Sequence, residues 1–146
     1  MMDDLTIRML ETTFVEFAKG KEESAALFYE RLFAIDPSLR RLFANSDMKS
    51  QQTKLMAALG LVISNLRDLS TVVPVLETLG ARHNGYGVEE AHYQTVGTAL
   101  IQTLALTFGE RFTSDIRAAW TGAYGTVSGV MINAARLAKD ANLAAE

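Results

Sequence analysis

Apolar residues recur every three or four positions almost everywhere in this chain, and the alternation of a half-buried strand is scarce. That pattern predicts an all-α protein. A first helix should run from about Thr6 to Ala18, ending near Gly20, and a second from about Glu22 to Ile35. Asp36 then caps a short helix with Pro37 at its first position, where a missing N–H costs nothing. That element ends near Phe43, and ANSDMK is a loop. A long helix follows from about Ser50 to Leu66, with Leu55, Leu59, Val62, Ile63 and Leu66 on one face. Ser70 or Thr71 should cap the next helix, which carries Pro74 in its first turn and ends near His83 and Asn84, with Gly85 and Gly87 marking a turn. A helix from about Glu89 to Phe108 stops at Gly109. Thr113 caps the last one, which carries Ile116, Trp120, Ala123, Val127, Val130 and Met131, and its alanine-rich tail should fray. The unequal lengths predict an irregular bundle and argue against an up-down four-helix bundle.

Composition narrows what such a bundle can do. At 146 residues the chain is long enough for one domain with a substantial core, and 49% apolar against 21% charged residues is a globular profile. A net charge of −3 lacks the basic excess of a nucleic-acid binder. No apolar run reaches the ~20 residues of a membrane span, and the acidic start MMDDLTIRML is no signal peptide, so a cytoplasmic protein is expected. There is no cysteine, which excludes disulfides, zinc–thiolate clusters and iron–sulfur sites. Only two histidines remain. A chain this poor in ligands can hold a redox metal from a single imidazole, as haem is held, and His83 in LGARHNGYGV is the candidate. On its position alone the commoner reading of His83 is a partly exposed histidine near a helix end, favoured by the dipole.

Six pieces, in this order and spacing, carry a resemblance: LFYERLF at 27–33, DPSLRRLF at 36–43, SQQTKLM at 50–56, LGARHNGYGV at 79–88, HYQTVG at 92–97 and AAWTGAYG at 118–125. Together they resemble the globin family, and within it the single-domain bacterial haemoglobins and the haem domain of flavohaemoglobins, over about Leu5 to Ile132. The resemblance implies a globin fold of seven to eight helices around a pocket for haem b. It implies one domain over 1–146 with no reductase domain, and a monomer or homodimer.

His83 matches the family's proximal ligand, and Leu79, four residues back, would offer its carbonyl to the other ring nitrogen. Phe43 matches the aromatic that packs on the macrocycle, although a plain core phenylalanine reads the same way. Tyr29, Gln51 and Leu55 match the distal pocket, where Tyr29 and Gln51 would donate to a bound gas; Gln52 is the rival to Gln51. Lys54 and Arg82 are expected to meet the haem propionates unless they are simply solvated. Phe28, Tyr86, Val88, Val96 and Tyr124 complete the expected cofactor contacts.

Tyr93 matches a tyrosine that, in flavohaemoglobins, works with a glutamate on the last helix to make the histidine more electron-donating. Here that position falls on Ala135, or on Ala134 one residue earlier. The departure implies weaker peroxidase-type chemistry. His92 reads as a surface or inter-helix residue. Gly122, Gly125 and Gly129 share one helical face; close packing on a neighbouring helix is the expected reason, with a gas channel or a dimer contact as the sharper one.

The function so implied is binding of O2, with NO and CO, at a five-coordinate iron for transport or storage. The alternative is an NO dioxygenase served by a reductase in trans, and a haem-free sensor module of the same fold comes third.

Overall fold

The computed structural model describes residues 2–145, with side chains through residue 141. Its described residues form six α-helices and three 3-10 segments, without a strand: α1 (Asp4–Lys19), α2 (Lys21–Ile35), a 3-10 segment (Pro37–Phe43), α3 (Met48–Ser64), a 3-10 turn (Leu69–Thr71), α4 (Val73–Gly85), α5 (Glu90–Phe108), a 3-10 turn (Gly109–Arg111) and α6 (Ser114–Ala145). None of these helices is long and apolar enough to cross a membrane.

Local chemistry explains where the boundaries fall. The Asp3 carboxylate accepts from the Thr6 N–H at 2.7 Å, so α1 starts at Asp4, ahead of the expected Thr6. Asp36 accepts from the Ser38 N–H at 3.1 Å with Pro37 behind it, as the sequence suggests, but the turns that follow are wound as a 3-10 helix. Asp47 caps α3 by accepting from the Lys49 N–H at 3.3 Å, which moves its start from Ser50 to Met48. At the other end the Asn65 amide donates to the Leu61 carbonyl at 2.7 Å, and the helix stops short of Leu66, which is buried all the same.

The expected cap of α4 is corrected. Ser70 and Thr71 give their hydroxyl protons to the Asp68 carboxylate, closing the 3-10 turn, so neither is left for the helix. The helix begins at Val73 behind a buried Val72 that caps it without a side-chain bond. Gly87, at φ +87°, turns the chain after α4, and Gly109, at φ +58°, stops α5; both conformations favour glycine. Thr113 caps α6 by accepting from the Ile116 N–H at 3.3 Å. α6 runs on through the alanine-rich tail to Ala145, and the fraying expected of its last residue lies outside the described residues.

Leu10 and Phe17 of α1, Phe28 and Leu32 of α2, Leu100 and Leu104 of α5, and Trp120 of α6 fill the core. Trp120 keeps its indole N–H satisfied by donating to Thr13 Oγ1 at 2.9 Å. α4 packs most extensively on α6, and α2 on α5.

The closest approach depends on a glycine. A β-carbon at Gly80 of α4 would lie 2.3 Å from the Met131 carbonyl oxygen of α6, and one at Gly97 of α5 would lie 2.7 Å from the Tyr124 ring. The face of Gly122, Gly125 and Gly129 behaves oppositely. These glycines are exposed, and no atom comes within 4 Å of where their β-carbons would be. The expectation that they pack against a neighbouring helix is therefore corrected: α6 meets its neighbours through Gly80 and Gly97 on other helices.

The two glycine sets give opposite predictions for chemical unfolding. Gly80→Ala should destabilise by about 2 kcal/mol or more, because backbone must move. Gly129→Ala should stabilise by roughly 0.8–1 kcal/mol through helix propensity. Equal effects would contradict the packing described.

Candidate functional site

A cavity of about 220 Å³ opens between α2, the 3-10 segment, and the facing sides of α3 to α6. Of the expected site residues, Phe28, Tyr29, Phe43, Leu55, His83, Val88, Tyr93, Val96 and Tyr124 line it. The helical period brings further ones that sequence reasoning missed. Leu32 stands one turn past Phe28, and Val127, Ser128 and Met131 continue the face begun by Tyr124. Leu39 and Leu42 come from the 3-10 segment, and His92 from the first turn of α5. The signal for Val127 and Met131 was present, since both sit on the apolar stripe of α6.

Other expected residues sit elsewhere. Lys54 and Arg82 are exposed and off the cavity wall. Tyr86 is 67% exposed, its ring 6.2 Å from that of His83. Gln51 and Gln52 are both half-buried and neither lines the cavity; the contribution of Gln51 is its backbone carbonyl, which accepts from the Tyr29 hydroxyl at 3.4 Å. Leu79 acts through its backbone: its carbonyl lies 2.6 Å from His83 Nδ1. A larger groove of about 810 Å³ runs along the outer surface between α5 and α6, but it is open to solvent and no histidine lines it.

The His83–Leu79 bond decides the chemistry of the imidazole. A carbonyl can only accept, so Nδ1 carries the proton and the neutral ring presents a lone pair at Nε2. α4 ends two residues later at Gly85, so the ring sits in the last turn of its helix. Tyr29, on the same cavity's wall, is held in a cluster of aromatic edges. Its ring lies 5.0 Å from Phe28 and 5.6 Å from Phe43, both edge-on, and Phe33 lies 5.5 Å from Phe43. Arg40 closes the outer side of that cluster, its guanidinium 4.7 Å above the Phe33 ring.

Three tyrosines at the cavity resist ionisation. Burial pushes the Tyr29 phenol up to about 12 and raises Tyr93. Tyr124 is raised mostly by burial and then by the neighbouring Tyr93 phenol. Tyr124 donates its hydroxyl to the Tyr93 backbone carbonyl. The Tyr93 hydroxyl itself is the one fully buried side-chain polar atom without a partner among the described residues. Its ring lies 6.4 Å from that of His83. Ala134 and Ala135, the positions at which the resemblance to flavohaemoglobins would place a glutamate, are both buried.

These residues fit a macrocycle-held metal better than a bare ion. Among the described residues no three His, Cys, Asp or Glu side chains converge. A mostly apolar cavity whose wall offers just the His83 and His92 imidazoles can hold a metal only if the metal brings its other ligands with it, as haem iron does. The buried, unpartnered phenol beside the His83 imidazole marks a place where a polar partner is missing.

The family model for globins matches residues 26–131. The chain belongs to the globin family. It is similar to the flavohemoprotein of Bacillus subtilis, with 31% identity over 134 residues, covering 90% of this chain and 34% of that protein. It is likewise similar to the flavohemoprotein of Bordetella parapertussis, at 34% identity over 121 residues, covering 80% and 30%. This globin thus spans about a third of the length of the curated relatives it matches.

Among solved structures, a bacterial globin from Campylobacter jejuni superposes with a TM-score of 0.84 at 21% identity, covering 94% of this chain and 99% of that one. An engineered carbene transferase, derived from a proposed nitric oxide dioxygenase of Rhodothermus marinus, superposes with a TM-score of 0.85 at 21% identity over the whole of both chains. At that identity the two structures establish the globin fold, and the flavohemoproteins relate the sequence to flavohaemoglobin haem domains.

The tyrosines give a pH prediction. A phenol whose folded-state value lies above its unfolded one keeps its proton longer in the folded chain. The stability it contributes is complete below about pH 10, the unfolded value, and is lost as pH rises through about 12 for Tyr29. Unfolding midpoints measured from pH 9 to 12 should fall along this limb, and Tyr29→Phe should flatten it. An unchanged slope in that variant would show Tyr29 ionising freely in the folded protein.

Proposed function

We propose that the cavity holds haem b through His83 and that the protein binds O2 reversibly, with NO and CO as further ligands. One observation carries this reading: the His83 imidazole lines the cavity with its Nδ1 proton committed to Leu79, leaving the Nε2 lone pair as the wall's available base. Haem bound there supplies an iron with one exchangeable position for a diatomic gas.

The chain's own residues do the rest. The Leu79 carbonyl orients the imidazole and holds it in the Nδ1–H form. Phe28, Phe43, Leu55 and Val96 keep water from an oxidisable centre. Tyr29 holds a proton that stays on its oxygen at any physiological pH, and its 3.4 Å bond to the Gln51 carbonyl is long enough to yield to a better acceptor in the cavity.

A second reading, NO dioxygenase with electrons from a separate donor, is favoured by the flavohemoprotein relatives and by the parentage of the carbene transferase. We place it second because the Tyr93 phenol has no carboxylate partner, and buried alanines stand at Ala134 and Ala135. An imidazole without anionic support donates less charge, which suits reversible binding better than oxidation.

Titration of the purified apoprotein with haemin tests the reading: one equivalent should give a Soret band, and its absence would end the haem assignment. His83→Gly should lose haemin affinity about a hundredfold and regain it with free imidazole. For the gas, Tyr29→Phe should raise the O2 dissociation rate about tenfold, the effect of losing a hydrogen bond worth ~1.5 kcal/mol. An unchanged rate would remove Tyr29 from the ligand's surroundings. Sustained NO consumption in air with an added reductase and NADH would move the enzyme reading to first place.

A further inference from the structure

The second histidine does more than close a helix end. His92 is the third residue of α5 and is only 9% exposed. Its Nδ1 accepts from the Glu89 N–H at 2.9 Å, forming a reciprocal cap in which the Glu89 carboxylate accepts from the His92 backbone. An amide N–H can only donate, so the His92 proton sits on Nε2. This is the tautomer opposite to that of His83, and it presents a donor where His83 presents a lone pair.

Among the described residues none accepts from that Nε2–H, and it is not one of the sealed atoms, so it reaches open space; the residue lines the cavity. The other donors on the wall are mostly engaged. Tyr124 gives its proton to Tyr93 O, Ser128 to Gly125 O at 3.3 Å, and Tyr29 to Gln51 O. The Tyr93 hydroxyl has no partner but is fully buried, and its ring lies 6.4 Å from that of His83.

The nearby acids are engaged as well. Glu90 pairs with Arg136 at 2.9 Å, Asp36 accepts from Ser38, and Glu89 takes the His92 N–H. An acceptor reaching His92 would also meet the positive end of the 19-residue α5.

We propose that His92 Nε2–H binds a carboxylate of the haem, a role also expected of the exposed Lys54 and Arg82. This assignment rests on the haem reading above. His92 is then a cofactor-binding residue, and its cap on Glu89 fixes the tautomer that binding needs.

The test compares haemin with its dimethyl ester, in which both carboxylates are blocked. His92→Ala removes both cap and donor. His92→Glu keeps a residue able to accept from the Glu89 N–H but turns the donor into a repelling carboxylate. With haemin, both variants should release the cofactor to an excess of scavenger protein about tenfold faster or more than the parent. With the dimethyl ester, His92→Glu should release it at the parent's rate.

Equal acceleration of both cofactors would reduce His92 to a cap, and no acceleration would show no contact. An NMR measurement on the apoprotein needs no haem: imidazole nitrogen shifts placing the His92 proton on Nδ1 would overturn the proposal alone. A parent protein that takes up neither cofactor would overturn the haem reading, and this assignment with it.

Discussion

The site depends on how near α4 comes to α6. At Gly80 the missing side chain lets the Met131 backbone of α6 press against α4, closer than any β-carbon would permit. His83 follows Gly80 by one helical turn and so projects from the same side of α4 toward the cavity that Met131 also lines. The contact that brings the two helices together thus sets the depth of the imidazole. Gly97 does the same for α5, letting the Tyr124 ring lie on its backbone and carry its hydroxyl to the Tyr93 carbonyl.

Two histidines on one cavity wall have been given opposite protonation patterns by the backbone alone. Leu79 offers a carbonyl and Glu89 an amide N–H, each to an Nδ1. The first arrangement leaves a base and the second a donor. No charged group is needed for either choice, which suits a low-dielectric cavity where a charge would be costly to hold. The tyrosines follow the same logic: burial keeps their protons on, so the cavity offers hydrogen bonds without introducing charge.

Among the described residues, the Tyr93 hydroxyl is the one fully buried side-chain polar atom without a partner. A buried donor without an acceptor costs on the order of 1–3 kcal/mol. It stands on the same wall as His83, whose Nδ1 partner is a neutral carbonyl.

Much of the architecture was legible in the chain. Helix faces follow from a 3.6-residue period, a local property, so the helices, the short segment after Asp36 and the stop at Gly109 could be read directly. The order and spacing of six short pieces identified the globin family, and counting one turn back from His83 reached Leu79. What failed was competition between local partners. Asp68 draws both Ser70 and Thr71 away from capping, and a run of hydroxyl residues does not reveal which acceptor wins.

What depends on contacts between distant segments was not legible at all. Gly80 and the exposed Gly122–Gly125–Gly129 face look alike as letters, because a glycine's meaning lies in what stands across from it. The same holds for Gln51, which offers its carbonyl, and for His92, which turns inward. One-dimensional periodicity records which side of a helix is apolar, but it holds no information on how far away the next helix is or which of its atoms faces back.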